Sequence, residues 1–151
     1  MRIVVATICD YAQIREGLFT IVSAGITRLW RDQLPQPMAV FLALQVEVPS
    51  QERPFPHEVG VDIAGPSGQE VAKLRAAFQV GAGGDFDPDE SVLVSLPLDL
   101  RPISVAAYGW HTVAISLDSG EPYVLRVKVA RRPALAPDAG IQIAPPSRRS
   151  H

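Results

Sequence analysis

The chain has 151 residues, of which 47% are hydrophobic and 20% are charged, and its formal net charge is −2. This size allows one domain with a hydrophobic core, and the composition excludes a wholly disordered chain. Nucleic acids and anionic membranes attract concentrated positive charge, so the charge balance argues against both as partners. The 14 prolines and 11 glycines suit many short elements, and we expect an all-β protein.

The N-terminal part predicts three extended segments. Residues 3–9 form an apolar run that is too short to span a membrane and is typical of a buried central strand. Residues 10–17 are predicted as a connection. Residues 18–23 predict a second strand, which Gly25 separates from a further extended segment at 26–30, as in a bulge or bend.

Alternation of hydrophobic residues is clearest in the middle of the chain. One face of a long strand carries Met38, Val40, Leu42, Leu44, Val46 and Val48. Residues 70–80 fit either a strand or an amphipathic helix. The Gly-Pro-Ser-Gly turn at 65–68 favours a strand paired with residues 57–64.

The C-terminal part predicts two more strands and a hairpin. Residues 92–100 alternate, and Pro97 indicates a sheet edge or a bulge. Residues 109–129 predict a hairpin with its turn at 118–120.

The predicted fold is an antiparallel, immunoglobulin-like β-sandwich of two sheets and about eight strands. The alternation stops near Arg131, so we predict a single domain at 1–131 and a disordered tail at 132–151. Cys9 is the single cysteine, which excludes an intrachain disulfide and indicates a reducing, cytoplasmic location.

Several turn and strand signatures are similar to those of one protein family. Cys9-Asp10-Tyr11-Ala12-Gln13, Gly17-Leu18-Phe19 and the closing hairpin resemble a bacterial family of small β-sandwich proteins of unknown function, with an Asp-x-Ala-Gln segment before a Gly-Lys-Leu hairpin. The chain departs from that pattern at Phe19, which follows Leu18 where a Gly-Lys-Leu order is usual. It departs again at His111, where the family tends to place a core-facing tyrosine. The resemblance implies an antiparallel β-sandwich and no catalytic residue.

The residue types that carry chemistry are few and scattered. His111 fits a core histidine better than a base or a metal ligand, and Cys9 fits a small buried group better than a nucleophile. Asp85, Asp87 and Asp89 are weak calcium candidates, because their spacing does not match an EF-hand. We therefore expect no enzyme, no cofactor and no metal.

Exposed aromatic residues are the remaining candidates for function. Phe41, Tyr108 and Trp110 are predicted on faces away from the core, and Trp30 is predicted near a strand end beside Arg28 and Arg31. Aromatic and arginine side chains anchor protein interfaces, so we predict a non-catalytic module that binds a protein partner or forms a homodimer. Arg126 and Lys128 belong to a small basic cluster that fits either a solvated strand face or an acidic partner. The alternative is a module that binds a carbohydrate or another small ligand through the aromatic rings.

Overall fold

The computed structural model describes residues 1–81 and 86–133, which contain strands and connections but no helix. The strands, in chain order, are β1 (Arg2–Cys9), β2 (Tyr11–Arg15), β3 (Leu18–Val22), β4 (Arg28–Arg31), β5 (Gln36–Pro37), β6 (Phe41–Val48), β7 (His57–Ala64), β8 (Glu70–Phe78), β9 (Val92–Asp99), β10 (Ser104–Val105), β11 (Gly109–Leu117) and β12 (Tyr123–Arg131). The all-β prediction is confirmed. The described residues contain more strands than the eight predicted, because short strands lack a clear alternation.

The strands form two larger and two smaller sheets. The larger sheets have the orders β4-β12-β11-β7-β8 and β1-β6-β9, and the smaller ones pair β2 with β3 and β5 with β10. Strands β12 and β4 are parallel, and the other pairings are antiparallel. The wholly antiparallel prediction is therefore wrong at this edge, where residues 28–31 run alongside residues 128–131 in the same direction.

One hydrophobic cluster contains side chains from both larger sheets. Leu42 and Leu44 of β6 belong to it, as do Val61 of β7 and Ile115 of β11. Leu44 lies opposite Ala6 on one side and Leu96 on the other, at the centre of the three-stranded sheet. The predicted inward face of residues 38–48 is confirmed, since its six alternating hydrophobic residues are all buried.

Three expectations about individual strands have different outcomes. Residues 70–80 contain strand β8, which pairs with β7 as predicted. Pro97 lies in β9, an edge strand, also as predicted. Residues 3–9 do not form a central strand, because β1 is hydrogen-bonded to β6 on one side and lies at the edge of its sheet.

The segment predicted as a connection at residues 10–17 contains strand β2. This strand forms a hairpin with β3, and the turn places Glu16 and Gly17 at positive φ angles of 52° and 76°. A turn of this kind normally carries Asn or Asp before Gly, so glutamate there gives no hairpin signal. The hairpin adds Ala12, Phe19 and Ile21 to a second hydrophobic cluster with Cys9, Phe41 and Ala43.

The last strand of the described region ends at Arg131. The predicted tail at 132–151 lies outside the described residues beyond its first two positions. Across residues 1–81 and 86–133, the structure contains no helix that could cross a membrane.

Candidate functional site

Trp30 and Trp110 lie on the outer face of the five-stranded sheet. Their chain neighbours Leu29 and His111 are buried, so the alternation of the strands directs the two indole rings away from the core. The exposed fractions are 37% for Trp30 and 43% for Trp110. Strand β12 separates the two strands that carry these rings.

Three cationic side chains lie against the tryptophan rings. The guanidinium carbon of Arg126 is 5.0 Å from the ring centroid of Trp110, and Nζ of Lys128 is 5.8 Å from it. The guanidinium carbon of Arg28 is 5.2 Å from the ring centroid of Trp30. These distances allow cation–π attraction. We call these five residues the tryptophan–cation face.

The sheet register brings the face together from three strands. Lys128 of β12 lies opposite Arg28 of β4 on one side and opposite Trp110 of β11 on the other. Residues in register on neighbouring strands point to the same side of a sheet, so these three side chains form one row across it. Arg126 lies two residues from Lys128, on the same side of β12.

The positive charge of this face has no carboxylate partner among the described residues. Arg28, Arg126 and Lys128 form no ion pair there. The other end of the same sheet differs, because Arg75 pairs with Asp62 at 2.9 Å. Positive charge therefore accumulates on the part of the sheet formed by β4, β12 and β11.

Tyr108 lies at the margin of the tryptophan–cation face. Its ring is partly exposed, and its hydroxyl group lies 3.4 Å and 3.3 Å from the carbonyl oxygens of Arg31 and Asp32, to which it can donate. The hydroxyl hydrogen bond connects the start of β11 to the loop after β4. Tyr108 is thus exposed as predicted, but its polar group is already used within the protein.

Phe41 is not part of an exposed surface, and that prediction is wrong. Its side chain is 7% exposed. The ring of Tyr11 packs edge-on against it with centroids 5.4 Å apart, and the guanidinium carbon of Arg101 lies 4.6 Å from its centroid. The β2–β3 hairpin covers this side of the three-stranded sheet as a second layer.

His57 forms a partly buried polar contact that its sequence surroundings do not indicate. Its Nδ1 lies 3.0 Å from Oδ2 of Asp118, and its Nε2 lies 3.0 Å from the carbonyl oxygen of Glu52. Both partners are acceptors, so the doubly protonated ring satisfies both contacts, whereas the neutral ring satisfies one. With both nitrogens engaged, His57 connects the loop after β6 to the β11–β12 turn and has no nitrogen left for a substrate.

Burial and hydrogen bonds shift the pKa values of His57 and Asp118 in opposite directions. Burial opposes the charged form of His57, but hydrogen bonds to Asp118 and to the Glu52 carbonyl oxygen outweigh it and raise its pKa. The backbone N–H of Glu58, which donates to Asp118 Oδ1 at 2.8 Å, is the main cause that lowers the pKa of Asp118. Burial acts against this lowering, and the hydrogen bond to His57 adds to it.

We expect the His57 contact to make stability depend on pH. Because the folded pKa is raised, the stabilisation is complete below the unfolded value of about 6.5 and is lost as the pH rises through the folded value. His57→Gln should lower the free energy of unfolding at pH 6 by about 1.5 kcal/mol and should flatten its dependence on pH above 6. Urea denaturation at a series of pH values measures both effects. Asp118→Asn is the matched control. In this variant the fall of the unfolding free energy with rising pH should occur at lower pH, and an unchanged pH profile of stability would contradict the pairing of His57 with Asp118.

His111 and Cys9 are both buried, as expected of structural residues. Nδ1 of His111 lies 3.2 Å from the carbonyl oxygen of Gly109, and its Nε2 has no hydrogen-bond partner within the described part of the chain. Burial raises the pKa of the Cys9 thiol, which disfavours the thiolate that a nucleophile needs.

The calcium candidates are only partly described. Asp85 lies outside the described residues, and Asp87 and Asp89 are exposed. The backbone N–H of Asp87 donates to Oε2 of Glu90 at 3.2 Å. Within residues 1–81 and 86–133, no three His, Cys, Asp or Glu side chains are grouped so that they could hold a metal ion.

A cleft of about 320 Å³ lies beside the loop after β6 and is lined in part by Arg53, Gln79 and Phe86. Its polar side chains are used within the protein. Arg53 donates to the carbonyl oxygens of Asp87 and Pro88 at 3.2 Å and 2.9 Å, and Gln79 donates to that of Pro54 at 2.9 Å. The cleft is therefore a weaker candidate than the tryptophan–cation face.

Comparison with protein families connects the chain to other proteins. The model of DUF6941, a family of unknown function, matches residues 4–130. The chain belongs to the DUF6941 family. The expected membership of a family of unknown function is thereby confirmed, while a bacterial origin and the Asp-x-Ala-Gln signature stay predictions. All five residues of the tryptophan–cation face lie inside the DUF6941 match. No curated protein matches the chain.

Proposed function

We propose that this DUF6941 protein is a non-catalytic module that binds another protein through the tryptophan–cation face. The observation that carries the proposal is the pair of exposed tryptophans on the outer face of the five-stranded sheet, each with a cationic side chain against its ring. Tryptophan and arginine are the residue types most enriched among those that dominate binding energy at protein interfaces.

The proposed framework for this face is an immunoglobulin-like sandwich of the two larger sheets in a reducing, cytoplasmic compartment. The hydrophobic cluster shared by the two sheets supports the sandwich, and the single, buried Cys9 suits a reducing compartment. A sandwich keeps the outer face of the five-stranded sheet rigid, so a partner would bind without a large ordering cost.

Partner capture tests the proposal directly. Tagged wild-type protein is used to capture partners from the native host, alongside a Trp30→Ser/Trp110→Ser variant. Tyr123→Ser is the matched control. Tyr123 is also an exposed aromatic residue of β12, but its position in the alternation of the strand is not one that belongs to the outer face. We expect the wild type and the control to retain the same protein and the double variant to lose it. Equal capture by all three would refute the role of the face.

Self-assembly and sugar binding are separate outcomes. Light scattering during size-exclusion chromatography should give the same mass for the wild type and for Trp110→Ala, since the proposed partner is a different protein. A smaller mass for the variant would make the partner a second copy. Tryptophan fluorescence should stay flat across a panel of sugars, since the proposed partner is a protein.

A further inference from the structure

The charges on the tryptophan–cation face identify the chemistry of its partner. We infer that the face binds an acidic, extended segment of another protein, whose carboxylates pair with Arg28, Arg126 and Lys128 while its aliphatic carbons lie against the two indole rings. This inference rests on the proposed function and adds the class of partner.

The spacing of the cations matches an extended chain. Arg126 and Lys128 are two positions apart on one strand, which corresponds to about 6.8 Å. Side chains on one side of an extended peptide repeat at the same distance. A segment with an acidic residue at every second position, lying along β12, would therefore present one carboxylate to each cation. Arg28 lies one strand away from Lys128, at about 4.8 Å, within reach of the same segment.

The cations are held ready for carboxylates. Arg28 and Arg126 each lie about 5 Å from an indole centroid, and this contact restricts side chains that would otherwise lose more conformational freedom on binding. Guanidinium groups in fixed positions suit carboxylates, because two parallel N–H groups can donate to the two oxygens. On the β7–β8 side of the sheet, Asp62 already pairs with Arg75 at 2.9 Å.

Other occupants fit the charges less well. Residues 134–151 of this chain contain one acidic residue, Asp138, and two arginines, Arg148 and Arg149, so their composition does not complement the face. Nucleic acid would gain little affinity from three cations on a chain of net charge −2, because its binding depends on the number of phosphates neutralised.

The test uses the full chain and fluorescent probes. One probe is a peptide of about twelve residues in which glutamate alternates with threonine, and the others are the same peptide with glutamine for glutamate and single-stranded oligothymidine of similar length. Fluorescence anisotropy at about 50 mM salt measures affinity, since exposed charge pairs are weakly screened there. We expect the glutamate peptide to bind with an affinity at least about ten times that of the glutamine peptide.

Charge reversal then assigns the binding to the face. Arg126→Glu should weaken binding of the glutamate peptide about tenfold or more. Arg15→Glu, which makes the same charge change at an exposed position of the β2–β3 hairpin, should leave it unchanged. Lys128→Glu provides a second reversal if circular dichroism shows that Arg126→Glu is unfolded. Equal weakening by Arg15→Glu would show that net charge, not the face, causes binding and would overturn the inference.

The remaining outcomes separate this inference from the proposed function. Oligothymidine that binds as tightly as the glutamate peptide and is lost in Arg126→Glu would make the face a nucleic-acid site and overturn the acidic-protein partner. If neither the glutamate peptide nor oligothymidine binds while the double tryptophan variant still loses a captured protein, the acidic class is wrong and the proposed function stands.

Discussion

Phe41→Ala is expected to lower the free energy of unfolding by about 3 kcal/mol. The substitution removes the ring that lies between the three-stranded sheet and the β2–β3 hairpin, where Tyr11 and Arg101 pack against it. The hairpin would lose its main apolar contact, while the shared core of the larger sheets would keep its packing. Urea denaturation measures the loss of stability.

Hydrogen exchange should localise the effect of Phe41→Ala. We expect faster exchange of the β2 and β3 amides than in the wild type, with smaller changes in β11 and β12. Trp110→Ala is the control, because loss of this exposed ring and its cation–π contacts should cost about 1 kcal/mol, well below the loss for Phe41→Ala. Equal losses of stability in the two variants would mean that Phe41 is not buried by the hairpin.

Leu44→Ala is expected to cost a similar amount of stability, about 3 kcal/mol, for a different reason. Leu44 is fully buried in β6, the central strand of its sheet, and belongs to the cluster that both larger sheets share. The cavity left by the truncation would lie in the middle of the core, so unfolding should remain a single cooperative transition at a lower urea concentration.

Leu93→Ala is the matched control for Leu44→Ala. The same atoms are removed from β9, the neighbour of β6, but Leu93 is 54% exposed. Its loss should change the free energy of unfolding by no more than about 0.5 kcal/mol. If Leu44→Ala lowered the free energy of unfolding no more than this control does, the burial of Leu44 in a core shared by the two larger sheets would be contradicted.

The parts of the fold that the sequence predicts are those with a period of two and one buried face. Residues 38–48 satisfy this condition, and the structure buries the predicted side of β6. Strand β2 of the β2–β3 hairpin does not satisfy it, since its burial does not alternate, and Glu16 occupies a turn position that usually carries Asn or Asp. The burial of Phe41 follows from that hairpin, so one missed turn caused the wrong prediction at a candidate site.

The candidate site was only partly predictable. The sequence identified Trp110 from the alternation of its strand and Trp30 from its place near a strand end beside Arg28 and Arg31. It could not show that Arg28 and Lys128 lie in register, since the parallel pairing of β4 and β12 joins distant segments. The contact between His57 and Asp118 could not be predicted for the same reason, because the two residues are 61 positions apart.

The parallel pairing of β4 with β12 makes the tryptophan–cation face a product of completed folding. Trp30 and Arg28 are synthesised early. Arg126 and Lys128 join them only after nearly all of residues 4–130, the part of the chain that matches the DUF6941 family, has left the ribosome. A nascent or truncated chain that lacks β12 would present the two early residues without their neighbours. A partner that needs all of them would therefore distinguish finished molecules from incomplete ones, which would delay association until the domain is whole.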